Sequence, residues 1–135
     1  MRTLAKRLVP GQDLFLELQR LAQEEALEAA VILSAVGSFS KAAMRFADDT
    51  KTTFLTGPVE IVSITGTLSK DSMHVHLAVS NQTGATFGGH LTEGSSVYTT
   101  IELVVMDLSQ SFIFERALCE KTMFEELLVR QKGHA

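Results

Sequence analysis

Three of the four histidines in this 135-residue chain, His74, His76 and His90, fall within one short stretch. His74 and His76 alternate with Val75 and Leu77, the period-two pattern of a β-strand with one face toward the core. Alternate side chains of a strand share a face, so both imidazoles are expected to project the same way. Their Cα atoms would lie roughly 6.6 Å apart at ~3.3 Å per residue. Two imidazoles at that spacing can reach one ion through bonds of ~2.1 Å, so the pattern predicts a metal site.

The third histidine, His90, follows a turn at Gly84 and the glycine pair Gly88-Gly89. Glycines allow close approach of two backbones, so the strand carrying His90 is expected to return beside the first two histidines. The alternative interpretation of the glycine pair is a β-bulge without chemical role. Three histidines with no obvious fourth ligand are typical of an open site, where water or substrate completes the coordination shell. Imidazole suits Zn, Ni, Fe and Cu alike, and zinc is chosen here on prevalence alone.

Glu102 is the candidate for a fourth ligand or a catalytic general base. It shares a face with Tyr98 and Thr100 in a long predicted strand, within an otherwise apolar run at 101–105. A plain salt bridge or a capped backbone group is the alternative explanation. The fourth histidine, His134, belongs to the C-terminal tail and is not expected to take part.

The elements that must position these residues are one helix and many strands. Asp13 stands where a helix N-cap belongs, and Leu14, Leu18 and Leu21 fall on one face of a helix predicted to run from about Asp13 to Ala26. Strands are predicted over residues 2–8, 31–36, 42–47, 59–68, 73–80, 97–107 and 112–117.

Two further features of the chain complete the predicted fold. Gly37 is expected to end one strand, with 42–47 as its return, and 120–129 is predicted to form a short terminal helix with Phe124, Leu127 and Leu128 turned inward. The sequence therefore predicts one α+β domain over residues 1–135. In it, a mostly antiparallel sheet or sandwich surrounds one main helix, and a short C-terminal helix follows.

Composition narrows the class of partner. The formal net charge is −4 and no basic stripe interleaves with aromatics, which weighs against tight DNA binding because affinity for DNA comes mainly from neutralised phosphates. The single cysteine cannot form an internal disulfide, no secretory leader is expected, and no apolar run approaches ~20 residues. A soluble, cytoplasmic protein is expected.

Between Gly57 and Glu102 the chain resembles the PPC (plants and prokaryotes conserved) domain. The resemblance rests on Gly57-Pro58-Val59-Glu60-Ile61, on His74-Val75-His76-Leu77 and on Gly88-Gly89-His90-Leu91, and it extends upstream to 10–14 and 35–38. It implies an antiparallel sheet around a helix, a homotrimer, and the DNA-binding role usually given to prokaryotic members. The Arg-Gly-Arg-Pro AT-hook of plant members is absent from this sequence. The fold is also similar to that of acetolactate decarboxylase, whose zinc is held by an H-x-H pair and a further histidine, and on that resemblance His74, His76 and His90 would be ligands.

Two classes of function remain open from the sequence. The first is a homotrimeric protein with a three-histidine divalent-metal site, binding a small molecule or acting as a metal-dependent lyase or hydrolase, with Glu102 as a proton shuttle. The second is a DNA-binding regulatory protein in which the metal is structural or absent.

Overall fold

A computed structural model describes residues 2–133, so the prediction for His134 lies outside the described residues. The described residues form eight β-strands and one α-helix. Their bounds are β1 Arg2–Leu8, α1 Leu14–Glu24, β2 Ala30–Arg45, β3 Thr52–Leu68, β4 Met73–Ser80, β5 Thr86–Leu91, β6 Ser96–Asp107, β7 Phe112–Cys119 and β8 Phe124–Gln131.

Six of the strands form one antiparallel sheet in the order β1-β6-β2-β3-β4-β5. Strand β5 pairs with β4 along its length and also with the end of β2, where Met44 lies opposite Leu91 and Arg45 opposite His90. This second pairing closes β2, β3, β4 and β5 into a ring. The predicted mostly antiparallel sheet with one main helix is confirmed.

Helix α1 begins where the sequence predicts. Asp13 is its N-cap, with one carboxylate oxygen accepting from the Leu16 backbone N–H at 3.2 Å and the other from that of Gly94 at 2.7 Å. These bonds satisfy an otherwise unpaired helix N–H and fix the helix to the loop before β6. The apolar face of α1 joins the strands in one buried cluster that includes Leu14, Leu18, Phe39, Val79 and Ile101. No helix within residues 2–133 is both long and apolar enough to cross a membrane.

The prediction that Gly37 ends a strand is wrong. Strand β2 is 16 residues long and runs through Gly37, and the partner strand is β3, which begins at Thr52. Gly37 has φ +153°, and a Cβ there would collide with the Thr100 carbonyl, while the register with β6 shifts between Gly37 and Phe39. The glycine therefore marks a β-bulge and a close backbone contact inside the strand instead of a turn.

The predicted C-terminal helix is also wrong. Residues Phe124–Gln131 form strand β8, which pairs with β7 along its whole length, from Cys119 opposite Phe124 to Phe112 opposite Gln131. An isolated helix of about ten residues is marginal, whereas pairing with β7 satisfies the backbone groups of both segments. Phe124 is 69% exposed and Leu127 38% exposed, so these side chains do not turn inward within the chain.

Candidate metal centre

The three predicted ligands lie on two neighbouring strands and on one face. His74 and His76 alternate on β4 with the buried Val75 and Leu77, as the period-two pattern predicts. On β5, His90 lies directly opposite His76. Paired residues of antiparallel strands project to the same side, so the pleat brings all three imidazoles together.

The three imidazoles are close enough to share an ion. One ligand nitrogen from each of His74, His76 and His90 lies within 4.8 Å of the others, and the Nε2 atoms of His74 and His76 are 3.1 Å apart. A tetrahedral ion with bonds of ~2.1 Å requires its ligand nitrogens to be about 3.4 Å from one another. The observed separations bracket that value, so this arrangement fits a divalent metal.

Burial and neighbouring charge favour the neutral, ligating form of two of these rings. Burial lowers the pKa of His90 to about 4, with further contributions from Arg45, His74 and His76. The pKa of His74 is also lowered, first by burial, then by His76 and Arg116, while Glu126 acts in the opposite direction. A metal binds the unprotonated imidazole, so these shifts reduce proton competition for the site.

The glycine pair before His90 permits the close packing that positions it. A Cβ on Gly89 would lie 2.7 Å from the Arg45 carbonyl oxygen, closer than real Cβ contacts allow. Strand β5 can therefore approach β2 only with glycine at this position. The pairing of β4 with β5 runs without a register shift through Gly88 and Gly89, so the pair forms no bulge against β4.

A cavity of ≈ 1020 Å³ opens over the three histidines. Its walls come from β4 and β5, from the residues after β2, and from the hairpin of β7 and β8. The sequence interpretation missed the two half-buried cations that line it, Arg45 and Arg116. Neither carries a local sequence signal, because each reaches the site through pairing between distant segments.

The structure does not bring Glu102 to this cluster. It lies on β6, exposed, opposite Arg7 of β1 and Val36 of β2, and is absent from the cavity lining. The acidic residues that do line the cavity are Asp48, Glu125 and Glu126.

A family model described as the Plants and Prokaryotes Conserved (PCC) domain matches residues 1–109. Among curated proteins, the Bifunctional protein GlmU of Synechococcus sp. (strain JA-3-3Ab) is 42% identical over all 135 residues. The chain spans only 22% of the length of that relative.

Solved structures share the fold over nearly the whole chain. A hypothetical protein from Salmonella cholerae-suis is 39% identical with a TM-score of 0.94, covering 97% of this chain and 94% of its own. A metal-containing protein from Archaeoglobus fulgidus is 29% identical with a TM-score of 0.81, covering 95% of this chain and 94% of its own. A protein from Bacteroides thetaiotaomicron, described provisionally as DNA-binding, is 18% identical with a TM-score of 0.81 over 93% of this chain and 90% of its own. At that identity the likeness carries the fold alone.

Proposed function

The chain belongs to the Plants and Prokaryotes Conserved domain family, and on that premise we propose that it binds one divalent metal ion per chain through His74, His76 and His90. The observation that carries the proposal is the convergence of three imidazole nitrogens within 4.8 Å on one face of two paired strands. The likeness to a solved protein described as metal-containing supports it. Zinc is the first metal to test, on prevalence.

Three imidazoles leave one tetrahedral position open, and the cavity gives a small molecule access to it. A bound ion would polarise a carbonyl or carboxylate oxygen, or lower the pKa of a bound water. The proposed activity is therefore binding of a small molecule at the metal, with lyase or hydrolase chemistry as the reaction class. His74, His76 and His90 hold the ion, and the wall residues orient the ligand.

Self-association, as a homotrimer, is part of the proposal. Val36 is 58% exposed and Tyr98 51% exposed on the sheet, which is unusual for large apolar side chains of central strands. Glu102 lies directly opposite Val36, on this same surface. We therefore place Glu102 at the contact between copies, in place of a catalytic role in the cavity of its own chain.

Metal analysis of protein purified without a polyhistidine tag tests the site. We expect about one divalent ion per chain in the wild type and close to none in a His74→Ala/His76→Ala variant, because one imidazole cannot retain the ion. His134→Ala is the matched control, since it removes the histidine outside the cluster. Equal, low metal content in all three proteins would refute the proposal.

DNA binding is not adopted as the function. The net charge of −4 disfavours a strong phosphate-neutralising surface. The Bacteroides thetaiotaomicron protein described as DNA-binding is only 18% identical, which is too distant for its function to be carried over.

A further inference from the structure

Two arginines stand beside the histidine cluster without an acidic partner. Arg45 and Arg116 are half-buried and line the cavity over the histidines. Within residues 2–133 neither forms an ion pair with a carboxylate. The hydrogen bonds of their guanidinium groups go to neutral acceptors, from Arg45 Nη1 to the Asp49 carbonyl oxygen at 3.3 Å and from Arg116 Nη2 to Thr67 Oγ1 at 3.3 Å. A guanidinium group carries several N–H donors, so these two arginines have capacity left to bind an anion.

The strand register places the arginines on two sides of the cluster. Arg45 of β2 lies directly opposite His90 of β5. On the other side, Thr67 of β3 lies directly opposite His74 of β4, and Arg116 is bonded to that threonine. A ligand bound over the histidines would therefore lie between the two guanidinium groups.

Charge balance at the metal-loaded site calls for an anion. Three neutral imidazoles leave the two positive charges of the ion uncompensated, and Arg45 and Arg116 add two more. The cavity lining also holds three carboxylates, Asp48, Glu125 and Glu126, so the four positive charges exceed the negative charges by one. Arg45, directly opposite His90, places one positive charge beside that imidazole.

We infer that the site takes a small organic carboxylate together with its metal, with one ligand oxygen on the open coordination position and the carboxylate facing Arg45 or Arg116. This inference rests on the proposed metal site and names its ligand class. Guanidinium groups match the planar, two-oxygen geometry of a carboxylate. The three acidic residues of the cavity favour a monoanion over a dianion, and the apolar side chains of Phe46 and Met73 in the lining suit a carbon skeleton.

Cobalt(II)-loaded protein tests the inference, because the visible absorption of cobalt reports a change in its ligands. The probes are pyruvate, the neutral pyruvamide, and sulfate as an anion that is not a carboxylate. We expect pyruvate to change the spectrum of the wild type. Substitution of the arginine that faces the carboxylate, by Arg45→Gln or by Arg116→Gln, should weaken pyruvate binding about tenfold or more, as for a lost charge-assisted hydrogen bond. Arg45→Lys and Arg116→Lys should retain part of the affinity, since lysine keeps the positive charge but lacks the paired N–H groups that match a carboxylate. Arg20→Gln is the control, because Arg20 lies on α1 outside the cavity.

The outcomes separate the two proposals. If the wild type takes up no cobalt, the metal site itself falls, and this inference with it. If cobalt is bound but pyruvamide or sulfate binds as tightly as pyruvate, the carboxylate assignment is overturned while the metal site stands. Unchanged pyruvate affinity in correctly folded Arg45→Gln and Arg116→Gln variants would overturn it as well.

Discussion

Replacing His90 with glutamine should reduce the acid sensitivity of the metal-free protein. The pKa of His90 is lowered to about 4 by burial, and then by Arg45, His74 and His76. Between about pH 4 and pH ~6.5, His90 is therefore protonated in the unfolded chain and neutral in the folded protein. The stability associated with this group is fully present above about pH 6.5 and is lost as the pH falls toward 4. His90→Gln removes the titration while keeping a polar side chain of similar size.

The magnitude follows from the two pKa values of His90. At about pH 5, linkage between a folded pKa of about 4 and an unfolded pKa of ~6.5 amounts to about 2 kcal/mol. The ring remains partly exposed, so solvent screening reduces the expected loss to about 1 kcal/mol.

Urea unfolding in EDTA at about pH 7.5 and about pH 5 measures this difference, with protein concentration held constant. The chain has no Trp and one Tyr, so circular dichroism is the appropriate signal. Between the two pH values, the free energy of unfolding of the wild type should fall about 1 kcal/mol more than that of His90→Gln. His134→Gln is the control and should behave as the wild type. The reasoning fails if His90→Gln and the wild type lose the same stability on acidification.

Two further predictions concern packing and assembly. Gly89→Ala should destabilise the protein by about 1–3 kcal/mol and lower its metal content, because the new Cβ meets the Arg45 carbonyl. Gly133→Ala is the control, because the space around Gly133 is open. Equal stability of the two variants would contradict the close contact at Gly89. Light scattering should give about three times the chain mass of 14.7 kDa for the wild type. Val36→Glu should give a smaller assembly, since a buried charge would disfavour the contact between copies. A wild-type mass of a single chain would refute the trimer.

The parts of the site that follow from local periodicity were predictable from the sequence. Alternation of His74 and His76 with Val75 and Leu77 requires only the strand pleat, and Asp13 before an amphipathic segment requires only helix capping. The position of His90 required one more step, the return of a neighbouring strand, which the glycines before it indicate.

The parts that depend on contacts between distant segments were not predictable. Arg45 reaches His90 because β2 closes against β5, and nothing in the residues around position 45 indicates that pairing. The spacing of Phe124, Leu127 and Leu128 fits one face of a helix as well as it fits a strand. The segment forms a strand because it pairs with β7. Glu102 lies on the exposed side of β6, between apolar neighbours that point to the core. Alternation along one strand cannot reveal which side of the sheet is exposed.

The cavity over the histidines is built from two separate sheets. The three histidines belong to the six-stranded sheet, whereas Arg116 and the cavity-lining residues 124–127 belong to the two-stranded hairpin. Every residue of β8 is exposed, so its side chains are under little packing constraint within the chain. In the proposed site, changes in this hairpin would therefore alter which molecules enter the cavity while the imidazoles stay in place. Under the proposed function, the hairpin's contribution to ligand choice would therefore be able to change among related proteins without loss of the ion.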